Sequence, residues 1–291
     1  MAWKPTLVIS CPASSRSGYG DHSRDIIKSI LNMDKFNVQI LDQRWGNCPK
    51  TEFENYPELA KIAVHQVTQK PDIWVQVTVP NEFQPMGNYN IGITAGIETD
   101  RCAPQWLEGM NRMDLNIVPS EHAKNVFEHT AYKGKNQQGQ EAELKLVKPV
   151  EVVFEGLDLD IFKKTTDTDP LIEDLMSDCS DFSFLFVGHW LGGEFGHDRK
   201  DIATMVRAFH ETFENKSIKN QPTLILKTGM SGFSRVDEMN IIERIQKLVP
   251  PSGPAIKLLH GDLTPEQLNK LYNHKKIKAM LSFTKGEGFG R

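Results

Sequence analysis

Cysteine is scarce and scattered. Cys11, Cys48, Cys102 and Cys179 are the four in 291 residues, and no two stand at the spacing a metal site needs. The pattern therefore reads as reduced, buried thiols of a cytosolic protein. A basic stripe is lacking too. The formal net charge is −4, with 34 Lys and Arg against 38 Asp and Glu, so nucleic acid is not an expected partner. No apolar run approaches the length of a membrane span, so no integral membrane segment is expected. Met1 to Pro5 leads almost directly into a strand pattern without a signal peptide, and the expected location is cytoplasmic, with the periphery of a membrane as the alternative. Neither half of the chain carries the full G-x-G-x-x-G dinucleotide fingerprint, which weighs against a nicotinamide-dependent oxidoreductase. No Ser-His-Asp arrangement or metal cluster stands out, so no metal is expected.

What is present is ordinary soluble composition, 39% hydrophobic and 25% charged, in a chain long enough for two domains. Apolar runs alternate with amphipathic stretches. Thr6 to Cys11 reads as a strand buried on both faces. Pro12 to Gly20 follows as a loop, and a helix pattern starts near Asp21 with Ile26, Ile27, Ile30 and Leu31 on one face. Further strands are expected at Phe36–Leu41, Asp72–Val79, Asn90–Ala95, Asp114–Val118 and Val150–Phe154. A helix from Pro57 is expected to carry Leu59, Ile62 and Val67. Pro104 opens another with Trp106, Leu107, Met110 and Met113, which together with Trp74 are assigned to core. Ser120 is placed to cap a helix carrying Ala123, Val126 and Phe127. Residues 132–146, polar and rich in Gln and Gly, read as a mobile surface loop.

A polar connection at 163–181 is read as the domain boundary, giving a first domain at 1–165 and a second at 166–291. The alternation then resumes. Strands are expected at Ser183–Val187, Thr223–Lys227, Ile256–Leu259 and Ile277–Phe283, with helices at Asp201–Phe213 and Val236–Leu248. Thr264-Pro-Glu-Gln267 forms a capping box with proline at the first helical position. The fold class expected is α/β, with two Rossmann-like, doubly wound parallel sheets facing a cleft. Ligands on such sheets bind at the C-terminal ends of the strands.

The strand-end residues are the candidates. In the second half, Gly188, His189, Arg199 and Lys200 precede a helix, where two cations and a helix dipole suit a diphosphate; a solvated Arg–Lys pair is the plainer alternative. Gly261 and Leu263, in Leu259-His-Gly-Asp-Leu263, offer backbone groups to a base edge, or make only a strand-to-helix turn. Glu287 lies within Lys285-Gly-Glu-Gly-Phe-Gly290. There Gly288, Phe289 and Gly290 bring their amides within close approach of a ligand, while Glu287 either contacts it or caps a helix start. In the first half the candidates are Gly18, Tyr19, Gly20, His22, Glu98 and Asp100. The last two suit hydroxyl binding or acid–base work, or are merely solvated.

Taken in order, these pieces resemble the GT-B glycosyltransferases, in particular the retaining group-1 (family four) enzymes. The resemblance runs through Ser17-Gly-Tyr-Gly20, the segment from Asp114 to Phe127, and Val152-Val-Phe-Glu-Gly-Leu-Asp-Leu-Asp-Ile-Phe162. It continues through Phe184-Leu-Phe-Val-Gly188, Arg199-Lys200-Asp201 and Glu287-Gly-Phe-Gly290, so it spans nearly the whole chain. It implies metal-independent transfer of a sugar, with retention, from a nucleotide-sugar such as a UDP- or GDP-sugar. The acceptor would be a glycan, a lipid or a small molecule, and no cofactor is implied beyond the co-substrate. Lys200 and Arg199 would hold the donor diphosphate. Glu287, as the first carboxylate of the family's paired-glutamate motif, would contact the donor sugar. The amides of Gly288, Phe289 and Gly290 would meet sugar and phosphate, and Gly18-Tyr19-Gly20 would lie against the phosphates or the acceptor. The chain departs from the pattern at His189, where many relatives have arginine. It also stops at Arg291 before the second glutamate, from which a C-terminally incomplete second domain is expected.

Overall fold

A computed structural model describes residues 3–135, 139–192, 196–230, 233–288 and 290. The chain divides into two compact units. One comprises Met1–Gly156 together with Glu287–Arg291; the other is Leu157–Gly286.

The first unit is built on β1 (Thr6–Cys11), α1 (Gly18–Met33), β2 (Asn37–Asp42), the short helices α2 (Glu52–Asn55) and α3 (Pro57–Ala60), β3 (Ala63–Val64), β4 (Ile73–Val77), β5 (Tyr89–Ile93), α4 (Pro104–Met110), β6 (Leu115–Val118), α5 (Glu121–His129), the hairpin β7 (Ala131–Lys135) and β8 (Glu141–Lys145), and β9 (Val150–Val152). Seven strands form one sheet in the order β3-β2-β1-β4-β5-β6-β9, and every pair in it is parallel. The chain winds outward from β1 to β3, then returns to β4 and winds the other way. The sheet is therefore doubly wound, with its switch point between β1 and β4. The apolar run of β1 is buried from Leu7 to Cys11 because helices cover both faces. Ile27 of α1 packs with Ile9, Ile40 and Leu59 in one cluster, while Trp74, Met110, Met113 and Phe127 fill another. Burying each such side chain is worth about 1.5–3 kcal/mol.

The second unit runs through α6 (Pro170–Met176), β10 (Ser183–Val187), α7 (Ile202–Phe213), β11 (Thr223–Lys227), α8 (Arg235–Leu248), β12 (Ile256–Leu259), α9 (Pro265–Tyr272) and β13 (Ile277–Met280). Its four strands lie parallel in the order β12-β11-β10-β13, with the switch point between β10 and β13. This unit takes in the polar connection at 163–181. Asn269 of α9 and Asn273 just after it donate to the Lys163 carbonyl at 3.0 and 3.1 Å, and Ile172 and Met176 belong to the core of this unit. The expected capping box is present: Gln267 N–H donates to Thr264 Oγ1 at 3.2 Å and Thr264 N–H to Gln267 Oε1 at 3.1 Å. Ser120 likewise accepts from Ala123 N–H at 3.2 Å and caps α5.

Several local expectations are corrected. Ala131–Lys135 and Glu141–Lys145 pair as antiparallel strands where a loop was expected. Tyr132 Oη donates to the Cys102 carbonyl at 2.6 Å, and Leu144 packs on the core, so two residues anchor an otherwise polar ribbon. The helix at Pro57 lasts only to Ala60, because the chain enters β3 at Ala63 and pairs with β2. The last strand ends at Met280 rather than Phe283, and it is half-exposed because it forms the sheet edge. The first helix starts at Gly18, ahead of Asp21.

Candidate functional site

At the first unit's switch point, the turn after β1 is fixed from three sides. Ser14 donates through N–H and Oγ to the Asp42 carboxylate, both at 2.8 Å. Arg24, only 3% exposed, donates from Nη1 to the Ala13 and Ser15 carbonyls at 2.8 and 2.9 Å. Ser17 caps α1, its Oγ accepting from Gly20 N–H at 3.1 Å. Gly18, Tyr19 and Gly20 are thus the first helical turn rather than an open loop. Gly20 must be glycine for packing, since a Cβ there would lie 2.1 Å from the Ser15 carbonyl oxygen.

Tyr19 ties this turn to the end of β5. Its hydroxyl accepts from Ala95 N–H at 3.0 Å and pairs with Thr94 Oγ1 at 3.1 Å, and its ring stacks on Trp45 with centroids 4.2 Å apart. Burial pushes the phenol pKa up, the Thr94 and Ala95 hydrogen bonds oppose that, and the nearby charges of Glu155 and Glu98 add to it. His22 Nδ1 stands 3.5 Å from Glu155 Oε2, and both side chains are largely buried. Glu155 follows β9 at the far side of the sheet from β1. Reaching His22, the chain has therefore run back over the C-terminal strand ends. Glu98 and Asp100, in the loop after β5, are exposed.

Glu287 is half-buried and counts with the first unit. The next residue shows why. Gly288 approaches the loop after β5 so closely that a Cβ would lie 2.7 Å from the Ala95 carbonyl oxygen. Gly290 has φ of +93° and lies against the Glu287 side chain. Phe289 lies outside the described residues.

In the second unit, Gly188 N–H donates to the Lys227 carbonyl at 3.1 Å and Trp190 N–H to that of Gly229 at 2.9 Å, continuing the sheet past β10. The exposed His189 donates from Nδ1 to the Met230 carbonyl at 3.0 Å. Across the switch point, the segment after β13 meets the turn before α7. Arg199 Nη1 donates to the Gly286 carbonyl at 2.7 Å, and Lys285 N–H donates to the Arg199 carbonyl at 3.0 Å. The Lys200 stem passes Gly188, its Cε 3.8 Å from where a Gly188 Cβ would stand. Gly188, Arg199 and Lys200 are thus brought together, while Gly261 and Leu263 lie elsewhere along the same sheet edge.

Those two residues line a cavity of about 330 Å³ at the ends of β11 and β12, with Lys227, Glu238, His260 and Asp262 as its polar lining. Lys227 Nζ donates to the Gly261 carbonyl at 2.7 Å. His260 Nε2 donates to Asp237 Oδ2 at 3.2 Å, and Met230 N–H donates to the same oxygen at 2.8 Å. Sequence reasoning did not single out Glu155, Asp237, His260 or Lys227. Glu155 and His260 lie inside segments it did mark and, like Lys227, stand at or just past strand ends, whereas Asp237, in the first turn of α8, gave no signal. Among the described residues no group of His, Cys, Asp and Glu is arranged to hold a metal ion, and no helix is long and apolar enough to cross a membrane.

No family model matches the sequence, and no curated protein matches it either. Solved structures do match the fold. One of trehalose-6-phosphate from E. coli bound with UDP-2-fluoro glucose superposes with a TM-score of 0.54 at 13% identity, covering 97% of this chain and 79% of that one. OtsA in its apo form gives 0.55 at 13% identity, covering 98% and 79%. Anabaena HepE in complex with UDP-glucose gives 0.51 at 12% identity, covering 91% and 71%. The chain has the GT-B glycosyltransferase fold. Its GT-B units are the two Rossmann-like parallel sheets described above. At these identities the likeness is one of fold, and the site residues rest on their own geometry.

Proposed function

We propose that this chain is a glycosyltransferase that moves a sugar from a nucleotide-sugar donor to an acceptor. The observation that carries the reading is the clasp at the second unit's switch point, where Arg199 and Lys285 join the turn before α7 to the segment after β13. Switch points are where doubly wound sheets take their ligands. Here Lys200 and the first amides of α7 supply positive charge for a diphosphate. In this reading Lys200 and Arg199 stabilise charge developing on the departing nucleoside diphosphate. The cavity beside Gly261 and Leu263 takes the base, UDP and GDP being the two nucleotides to compare. Glu287 contacts the donor sugar, the amides of Gly288, Phe289 and Gly290 meet sugar and phosphate, and the first unit, with Glu98, His22 and the Gly18–Gly20 turn, serves the acceptor. Retention and independence from metal follow from the resemblance to the group-1 enzymes.

The rival reading is a nucleotide- or sugar-binding module without turnover. His189 favours it, since it stands where many of those enzymes have arginine and its Nδ1 is engaged by the Met230 carbonyl. Turnover separates the two. Incubation with UDP- and GDP-sugars should release nucleoside diphosphate, and Glu287→Gln should slow release about tenfold or more, or roughly 1.4 kcal/mol of transition-state stabilisation. Binding of nucleotide with no release from any donor, with or without added acceptors, supports the module and refutes the enzyme.

A further inference from the structure

Asp198 is a carboxylate in an unusual place. It lies in the polar turn between β10 and α7, beside Arg199 and Lys200, yet is only 6% exposed. Aspartate is rarely buried to this degree unless both oxygens find donors. One does: Oδ1 accepts the Lys200 N–H at 3.3 Å. Oδ2 is buried and has no hydrogen-bond partner among the described residues. The main-chain oxygen of Asp198 accepts Asp201 N–H at 3.1 Å. Asp201 in turn has φ of +47° and ψ of +41°, a left-handed conformation uncommon outside glycine, and its Oδ1 is held by Thr204 Oγ1 at 2.6 Å. The turn is thus braced at both ends, and Lys200 is the residue between the braces.

We propose that Asp198 is a positioning residue for Lys200. Its side chain fixes the Lys200 amide, its carbonyl fixes the left-handed residue that launches α7, and together they aim the Lys200 stem past Gly188 toward the strand end. The charge of Asp198 plays no part in this. A carboxylate close to a bound diphosphate is a like charge, which opposes binding, so only the acceptor geometry of Oδ1 explains its use here. The inference rests on the donor-site reading above.

Calorimetric titration of the full chain with UDP tests it, with thermal melting run on each variant. Asp198→Asn keeps an acceptor at the Oδ1 position and removes the charge; it should bind UDP as tightly as the unaltered protein or more tightly. Asp198→Ala should bind about tenfold more weakly. In a Lys200→Ala background, Asp198→Ala should weaken binding no further, because it acts through that lysine. If the alanine variant does not fold, Asp198→Leu, which fills the carboxylate's volume without an acceptor, takes its place, with the same expected direction. Unchanged affinity in the Ala or Leu variant overturns the inference. So does an Asn variant as weak as Ala, which would mean that the carboxylate itself touches the ligand. Failure of the unaltered protein to bind either UDP or GDP refutes the donor-site reading first, and the inference with it.

Discussion

Replacing Tyr19 by Phe isolates one hydroxyl. The ring stack on Trp45 survives, because phenylalanine keeps the ring. What is lost is the acceptor for Ala95 N–H at 3.0 Å and the partner of Thr94 Oγ1 at 3.1 Å. Thr94 is 1% exposed, so water does not readily replace the phenol there. A net hydrogen bond is worth about 0.5–1.5 kcal/mol, and stranding a buried polar group costs about 1–3 kcal/mol. Since Ala95 is only half-buried and recovers part of its loss from solvent, the expected destabilisation is about 2 kcal/mol. In a unit of this size each kcal/mol moves the melting temperature by about 2–4 °C, so a fall of about 4–8 °C is expected. Urea unfolding followed by tryptophan fluorescence supplies the matching free energy. A loss below about 0.5 kcal/mol, in the range of surface substitutions, would refute the view that this hydroxyl joins α1 to the end of β5.

Other outcomes follow from the same geometry. His274 Nδ1 accepts Lys276 N–H at 3.2 Å, and burial lowers the imidazole pKa more than the neighbouring Glu173 raises it. The folded state therefore binds fewer protons than the unfolded one, and stability should fall as pH drops below about 6.5. His274→Gln should flatten that slope between pH 7.5 and 5.5, and an identical slope would exclude His274 as its source. Burial pushes the Cys11 thiol up to about 12. At pH 8 only about one molecule in 10⁴ then carries the reactive thiolate, so iodoacetamide should reach half-buried Cys48 first and Cys11 only on unfolding. Mass spectrometry showing early Cys11 modification would contradict this.

Much of the architecture was legible in the sequence because it is local. The unbroken apolar run of β1, proline at the start of α4 and the Thr264–Gln267 box each determine their element within a few residues. The strand pair 131–135 and 141–145 was not legible, since it is polar at most positions and Tyr132 and Leu144 are what packs on the core. The short helix at Pro57 failed for the opposite reason. Leu59 and Ile62 fit a helical face, but pairing of Ala63 and Val64 with β2 prevails. Gly188, just past β10, and Lys200, just before α7, were singled out from the strand–helix alternation, and the chain brings them together. Glu155 and Asp198 were not, because their burial depends on how the chain folds back. Glu155 reaches His22 only by crossing the sheet, and a lone aspartate in a polar turn looks solvated until its turn is closed.

The central claim, that the second unit holds a nucleotide through Lys200, is most directly tested by titrating UDP and GDP into the full chain and its Lys200→Ala variant. One of the two nucleotides should bind, and the variant should bind it about 10–100-fold more weakly, the loss expected for a charge-assisted phosphate contact of about 1.5–3 kcal/mol. Equal affinity in the two proteins would contradict the claim.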